Sequence, residues 1–178
     1  MPSYPRLAQL VPRLNAPDSE RIFTNSVVPY LIDVWLGDYH SLPTGADIVE
    51  TSYENFSYLF DIAPGRLIAA WGISRGKHTG ARDRSRMAGH PMSAGQRYHR
   101  GHAIPHTLGG PLDINLVPQL GSVNIGSFRS LEKRAVASPG SFYFTYWVYP
   151  KSASQTPIRV EQGLLIPGRP PEIRTHGN

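Results

Sequence analysis

The sequence predicts an α+β domain whose strands form an antiparallel sheet. Its 17 Gly and 17 Pro in 178 residues exceed average usage and indicate many turns and short elements. Short apolar runs bounded by turn residues are typical of strands, and one later segment has helical apolar spacing. This length can bury a sizeable core. We expect the domain at residues 61–168, an N-terminal extension at 1–60 and a flexible tail at 169–178.

The first sixty residues have the weakest patterns. Residues 1–20 are Pro-rich and are expected to lie along the surface. Residues 21–36 are apolar but contain Pro29, which favours short helical or extended pieces over one continuous helix. Residues 47–60 mix aromatic and acidic side chains without a clean period, so no element is assigned there.

Four later segments have strand patterns. Residues 66–74 form a short apolar run, and residues 98–104 follow a loop rich in Arg, Gly and Ser. We expect these two to pair as the antiparallel strands of the core. Residues 141–149 and 157–166 are rich in aromatic and β-branched side chains and predict a hairpin that extends the sheet.

A helix is predicted over residues 122–136, packed on the two core strands. Its apolar residues recur at helical spacing, although Gly126 weakens the pattern near the start: they are Val123, Phe128, Leu131 and Ala135. On an ideal helix, Asn124 and Glu132 would lie near one flank, about 12 Å apart along the axis.

Charge and composition limit the possible functions. The net charge of +5 favours a polyanionic partner such as nucleic acid. The absence of Cys excludes disulfides, thiolate zinc sites and cysteine nucleophiles. No stretch approaches about 18 apolar residues, so membrane insertion is not expected. The first 14 residues lack the apolar core of a signal peptide, so we expect secretion, if any, by another route.

A joint motif occupies residues 98–132. It consists of Arg100-Gly101-His102, then Asn115-Leu116-Val117-Pro118-Gln119, then Asn124 with Glu132 eight residues later. Imidazole titrates near neutral pH and suits a general base that deprotonates water. Magnesium prefers oxygen ligands and keeps most of its waters, so one amide oxygen can anchor it.

In this motif the sequence resembles the DNA/RNA non-specific endonucleases, which have a ββα-metal (His-Me finger) core, and especially their versions in bacterial polymorphic toxins and effectors. The resemblance covers about residues 66–166. It implies a metal-dependent, sequence-non-specific endonuclease with His102 as general base and Asn124 as ligand of Mg²⁺, or alternatively Mn²⁺. It also implies that Glu132 binds the ion through water.

The resemblance suggests further site residues, each with a structural alternative. Arg100 lies two residues before His102 on the same predicted strand face and would contact phosphate, or else pair with a carboxylate. Asn115 would orient water or phosphate, or else close a turn. The remaining substrate-binding candidates are the upstream arginines Arg82 and Arg84, the loop residue Gln119, and Lys133 or Arg134 in place of a family arginine where Val136 stands.

Where the family has Asp, this chain has His99, which leaves other functions open. Loss of the acid would weaken metal binding or favour a softer metal. One alternative is an inactive relative that binds nucleic acid. A second is a zinc-dependent HNH-like nuclease with His99, His102 and His106 as ligands. A third is a structural domain of a larger secretion machine.

The expected partners are nucleic acid and an acidic immunity protein. The toxin-like motif and the positive charge suggest an effector that acts in the cytoplasm of a target cell. An immunity protein would cover the basic groove around Arg82, Arg84, Arg100 and His102. Further basic residues flank this groove in the sequence: Lys77, Arg86 and Arg97.

Overall fold

The computed structural model describes residues 2–39, 47–81, 91, 94–150 and 153–178. In these residues the predicted α+β class is confirmed. The strands, in chain order, are β1 (Ile48–Tyr53), β2 (Phe56–Asp61), β3 (Arg66–Ile73), β4 (Tyr98–His102), β5 (Leu116–Leu120), β6 (Phe142–Val148), β7 (Arg159–Leu165) and β8 (Glu172–Gly177). Six of them form an antiparallel sheet in the order β1-β2-β3-β6-β7-β8, and β4 and β5 form a separate ribbon.

Alternation along β6 explains how the main sheet is covered on both faces. Phe142 and Phe144 point to one side, where their rings pack against aromatic side chains from the N-terminal region. Tyr143 and Trp147 point to the other side, towards the helix that follows the ribbon. A strand with both faces apolar has to be covered on both sides, and this protein does so with two helical layers.

The N-terminal layer contains α1 (Leu7–Leu10), α2 (Ser19–Ile22), a π-helical turn (Phe23–Val27) and α3 (Val28–Tyr39). Contrary to the sequence-based expectation, the path stays helical from Ser19 to Tyr39, and Pro29 lies just after the π-helical turn. Trp35 is fully buried and stacks on Tyr146 with ring centroids 6.0 Å apart.

The expected division after residue 60 passes through the second strand. Residues 48–61 form the β1-β2 hairpin, which no sequence pattern revealed and which pairs directly with β3. Side chains of the N-terminal layer belong to the same buried cluster as those of β3 and β6. The described part of residues 1–60 is therefore integral to the core.

The other layer carries the ribbon and two helices, α4 (Gly121–Ile125) and α5 (Phe128–Val136). The predicted pairing of 66–74 with 98–104 is wrong. β4 pairs with β5, whereas β3 lies between β2 and β6. From the sequence, the motif residues 115–119 were expected to lie in a loop. Residues 116–119 instead form most of β5, the partner of β4, and His102 lies opposite Leu116.

The C-terminal hairpin of β6 and β7 is confirmed, but the predicted flexible tail is wrong. Residues 172–177 form β8, which pairs with β7 over six positions. Asn178 then joins the main sheet to the ribbon, because its amide accepts a hydrogen bond from Leu120 N (2.8 Å) and donates one to Pro118 O (2.9 Å). Among the described residues, no helix is long and apolar enough to cross a membrane.

Candidate active site

One cleft of about 410 Å³ contains three of the predicted catalytic and metal-binding residues, His102, Asn124 and Glu132. They come from the end of β4, from α4 and from α5 respectively. The other described residues that line this cleft, called here the catalytic cleft, are Lys77, Pro105, His106, Thr107, Arg129, Lys133 and Val136.

The position of His102 is fixed by the ribbon. Its side chain is 8% exposed at the end of β4. The next residue, Ala103, donates a backbone hydrogen bond to Asn115 O (2.9 Å), which ties the chain leaving β4 to the start of β5. The backbone of His102 is thus anchored at the wall of the cleft.

Asn115 does not line the catalytic cleft, so its expected contact with water or phosphate is not supported. Its side chain is 0% exposed. Its amide accepts a hydrogen bond from Ile104 N and donates to Ile104 O, both at 2.7 Å, and also donates to Pro111 O at 3.1 Å. Asn115 is thus a positioning residue that holds the segment following His102.

The helix carrying Asn124 and Glu132 is broken between them. Gly126 has φ −102° and ψ −113°, which ends α4. A Cβ atom at Gly126 would lie 2.5 Å from Ser122 O, so only glycine fits this bend. The ideal-helix geometry expected from the sequence is therefore wrong, although both side chains still reach the catalytic cleft. Asn124 lies inside α4 rather than at a helix N-cap.

Glu132 is a partly buried carboxylate with a perturbed pKa. Burial raises its pKa from 4.5 to about 7, and the nearby Arg129 opposes this rise. A carboxyl group in such a position takes up negative charge most favourably when a cation approaches it. This property suits a ligand or outer-sphere partner of a divalent ion.

In the part of the chain that the structure describes, three cations give the catalytic cleft its positive character: Lys77, Arg129 and Lys133. Lys77 and Lys133 were named from the sequence, whereas Arg129 was missed. Arg129 lies three residues before Glu132 and four before Lys133, a spacing that places all three on one helix face. That spacing was the signal that could have identified it.

Several predicted substrate-binding residues lie elsewhere. Arg100 lines a different cleft with Asp113 and Pro118, although the strand period placed it on the face of His102. Gln119 is 0% exposed and packs against Gly101. Arg134 forms an ion pair with Glu172 of β8, which turns it towards the main sheet.

The three-histidine zinc site is not supported. The rings of His102 and His106 have centroids 6.4 Å apart, and both residues line the catalytic cleft. His99, in contrast, lies next to Gly121, where its Nε2 would be 2.8 Å from an added Cβ atom. In the part of the chain that the structure describes, no group of three His, Cys, Asp or Glu could hold a metal ion. Arg82, Arg84 and Arg86 lie outside the described residues.

The donor set at the catalytic cleft fits a hard divalent ion that keeps most of its water. Asn124 offers an amide oxygen and Glu132 a carboxylate. Mg²⁺ is commonly bound by one or two protein oxygens, with waters and substrate phosphate completing the octahedron. Asn124 would bind such an ion directly, and Glu132 would bind it or its water.

Comparison with solved structures supports the fold. No protein-family model matches the chain, and no curated protein matches it. One chain of the EndoG/EndoGI complex is 14% identical, with a TM-score of 0.54 over 81% of this chain and 80% of that chain. NucA from Streptococcus agalactiae gives 0.46 with magnesium bound, at 14% identity over 83% of each chain. Without metal it gives 0.42, at 15% identity over 68% of this chain and 65% of that one. At this identity the EndoG/EndoGI match establishes a shared fold, the ββα-metal fold that the motif predicted.

Proposed function

We propose that this protein is a metal-dependent, sequence-non-specific endonuclease of the ββα-metal class that hydrolyses phosphodiester bonds in DNA, RNA or both. The observation that carries the proposal is the meeting of His102, Asn124 and Glu132 in one cationic cleft, although they come from three separate elements. The fold shared with a chain of the EndoG/EndoGI complex supports it.

The chain's own residues account for most of the chemistry. Lys77, Arg129 and Lys133 attract a phosphate into the catalytic cleft. His102 accepts a proton from the attacking water, whose oxygen then bonds to phosphorus as the bond to the leaving oxygen breaks. A bound Mg²⁺-type ion would stabilise the negative charge that develops on the phosphate and on the leaving oxygen.

Cutting in the presence and absence of EDTA tests this proposal. We expect plasmid DNA, RNA or both to be cut with Mg²⁺ or Mn²⁺, and cutting to stop in EDTA. His102→Ala should reduce the rate by about 10² or more, the usual contribution of a general base. His99→Ala is the matched control, because His99 lies outside the catalytic cleft. Equal rates for the wild type and His102→Ala would refute the assignment of the base.

The metal assignment has its own test. Asn124→Ala should raise the Mg²⁺ concentration needed for half-maximal cutting, and Glu132→Gln should raise it less. Glu50→Gln, an exposed change on β1, is the control. Identical Mg²⁺ dependence in all four proteins would place the ion elsewhere.

We further propose that the nuclease is an effector toxin that acts in the cytoplasm of a target cell. The sequence of residues 107–119 resembles the versions of the family found in bacterial toxins, and the net charge of +5 also supports this proposal. Expression in a bacterial cytoplasm should degrade nucleic acid and stop growth, and His102→Ala should abolish both effects. A wild-type protein that cuts in vitro but is harmless at high cytoplasmic level would refute the toxin role alone.

A toxin of this kind requires protection in the producing cell. We propose an acidic immunity protein that covers the cationic residues at the catalytic cleft. EndoG is likewise inhibited in the EndoG/EndoGI complex. Association steered by charge slows as salt rises, so stopped-flow mixing with an acidic protein encoded beside this chain should show that dependence. A salt-independent association rate would contradict the electrostatic basis of this pairing.

A further inference from the structure

A second cleft of about 460 Å³ adjoins the catalytic cleft and has a different chemistry. It is called here the hairpin cleft, and its walls are Tyr53 and Glu54 at the β1-β2 turn, His78, His106, and residues 109–114. His106 lines both clefts. A strand of nucleic acid with one phosphate beside His102 would therefore have its neighbouring nucleotide within reach of the hairpin cleft.

The wall shared with the catalytic cleft is held by hydrogen bonds and close packing. His78 N donates to Thr107 O at 2.8 Å, which brings the His78 ring beside that of His106, with centroids 5.6 Å apart in an edge-on arrangement. Gly109 lies beside His78, where an added Cβ atom would be 3.4 Å from Nδ1, and its φ of +98° favours glycine. The loop that follows is fixed by Asn115, which donates to Pro111 O at 3.1 Å. These contacts form the cleft before any ligand binds.

The lining of the hairpin cleft suits a nucleobase better than a phosphate. Tyr53 is 52% exposed, so its ring is accessible for stacking. Glu54 and Asp113 add carboxylates, which repel phosphate but accept hydrogen bonds from the amino groups of bases. Among the described residues, the lining of the catalytic cleft next to it has three cations and one carboxylate. The hairpin cleft thus suits the base of a nucleotide, and the catalytic cleft suits its phosphate.

We propose that the hairpin cleft binds a nucleobase of the strand being cut, by stacking on Tyr53 and by hydrogen bonding to Glu54, and that it favours bases carrying an exocyclic amino group. The inference rests on the proposed nuclease function and gives the enzyme a base-binding subsite. A base enters such a cleft only from a single strand or after leaving its stack, so single-stranded substrates benefit most.

Binding in EDTA tests the stacking contact without any cutting. The fluorescence anisotropy of a labelled eight-nucleotide single strand is titrated at fixed salt, because affinity for nucleic acid depends strongly on salt. Tyr53→Ala should weaken binding about 5- to 100-fold, as for the loss of one stacked base, and Tyr53→Phe should bind like the wild type. Equal affinities for the wild type and Tyr53→Ala would overturn the proposal.

Homo-oligomers of deoxycytidine and deoxyuridine test the preference for an amino group. These bases have nearly the same shape, but cytosine has an amino donor where uracil has a carbonyl acceptor. The wild type should bind the cytidine eight-mer about two- to tenfold more tightly. Glu54→Gln should remove most of this difference, because an amide can also donate to the uracil carbonyl. Glu50→Gln, with the same charge change outside the hairpin cleft, should retain it.

Failure of this inference differs from failure of the proposed function. If the wild type and Glu54→Gln show the same ratio of cytidine to uridine affinity, base recognition by the hairpin cleft is refuted, while plasmid cutting remains intact. If the wild type cuts neither plasmid DNA nor RNA, with Mg²⁺ and also with Mn²⁺, the nuclease proposal is refuted. If the wild type does cut, a cutting map of a mixed single strand that shows no bias towards bases with an amino group would refute the hairpin cleft as a subsite for cleavage.

Discussion

Replacing Glu132 by Gln removes a carboxyl group whose pKa burial raises from 4.5 to about 7, and it keeps the size of the side chain. Between these two pH values the folded protein holds a proton that the unfolded chain has released. The contribution of Glu132 to the stability of the wild type therefore falls as pH rises from about 4.5 to 7 and levels off above that. At about 1.36 kcal/mol for each unit of pKa, the full loss is about 3 kcal/mol.

Thermal unfolding in EDTA measures this loss. For a chain of this size, 1 kcal/mol shifts the melting temperature by about 2–4 °C, so 3 kcal/mol corresponds to about 6–12 °C. The difference in stability between Glu132→Gln and the wild type should be small near pH 4.5 and should grow in favour of Gln up to pH 7. Glu50→Gln, whose side chain is exposed on β1, should follow the wild type.

Added Mg²⁺ should oppose this loss of stability in the wild type. An ion that binds the ionised carboxylate stabilises the folded wild type by mass action, most strongly above pH 7. Glu132→Gln should gain less from the same Mg²⁺ concentration. The reasoning is refuted if the stability difference in EDTA is constant from pH 4.5 to 8, since Glu132 would then titrate equally in the folded and unfolded chains.

Three further changes test the supports of the site by urea unfolding. Asn115→Ala leaves buried backbone groups of Ile104 without partners and should cost about 2–4 kcal/mol, whereas a result near zero would show that water replaces the amide. Asn178→Ala should cost about 1–2 kcal/mol and raise the Mg²⁺ requirement, and an unchanged Mg²⁺ titration would contradict this coupling. Gly101→Ala should cost about 1–3 kcal/mol, because the new methyl group would lie 2.6 Å from Gln119 Cβ, and wild-type stability would contradict the crowding.

The elements that the sequence predicted well are those with strong local patterns. β6 is an almost continuous aromatic and aliphatic run because both faces of the sheet are covered, and β7 ends in the buried pair Leu164 and Leu165. The β1-β2 hairpin gave no such pattern. The pairing of β2 with β3 shifts register between Leu59 and Phe60, which places Tyr58 and Leu59 both in the core and breaks the alternation.

Proline made two other elements difficult to predict from the sequence. Pro118 lies within β5, where a proline normally argues against a strand. Among the described strands β5 pairs only with β4, and Asn178 donates to Pro118 O of β5, so an edge strand accommodates the missing donor. Pro29 suggested an interrupted segment, yet it follows a π-helical turn in a path that remains helical. In both cases the outcome depends on which neighbours the backbone has, which local sequence does not show.

The sequence predicted the site residues whose type is required by the chemistry. It did not predict which cleft a side chain faces, because packing decides that. His102, Asn124 and Glu132 reach one cleft as expected. Arg100, on the same strand as His102, lines another cleft with Asp113 and Pro118 instead. Arg134 is held by Glu172 of β8, a strand that was expected to be a flexible tail.

The dependence of the catalytic cleft on distant strands follows from where its parts are anchored. α5, which carries Glu132, is fixed to the main sheet because Gln162 of β7 donates to Phe128 O at 3.0 Å. The ribbon that carries His102 belongs to a separate sheet, and the amide of Asn178 joins it to the end of β8. The proposed base His102 and the proposed ligand Asn124 therefore lie on the ribbon and on the helix α4 that directly follows it, whereas Glu132 lies on a helix fixed to the main sheet. A change that loosens β8 should thus impair metal use before it unfolds the core.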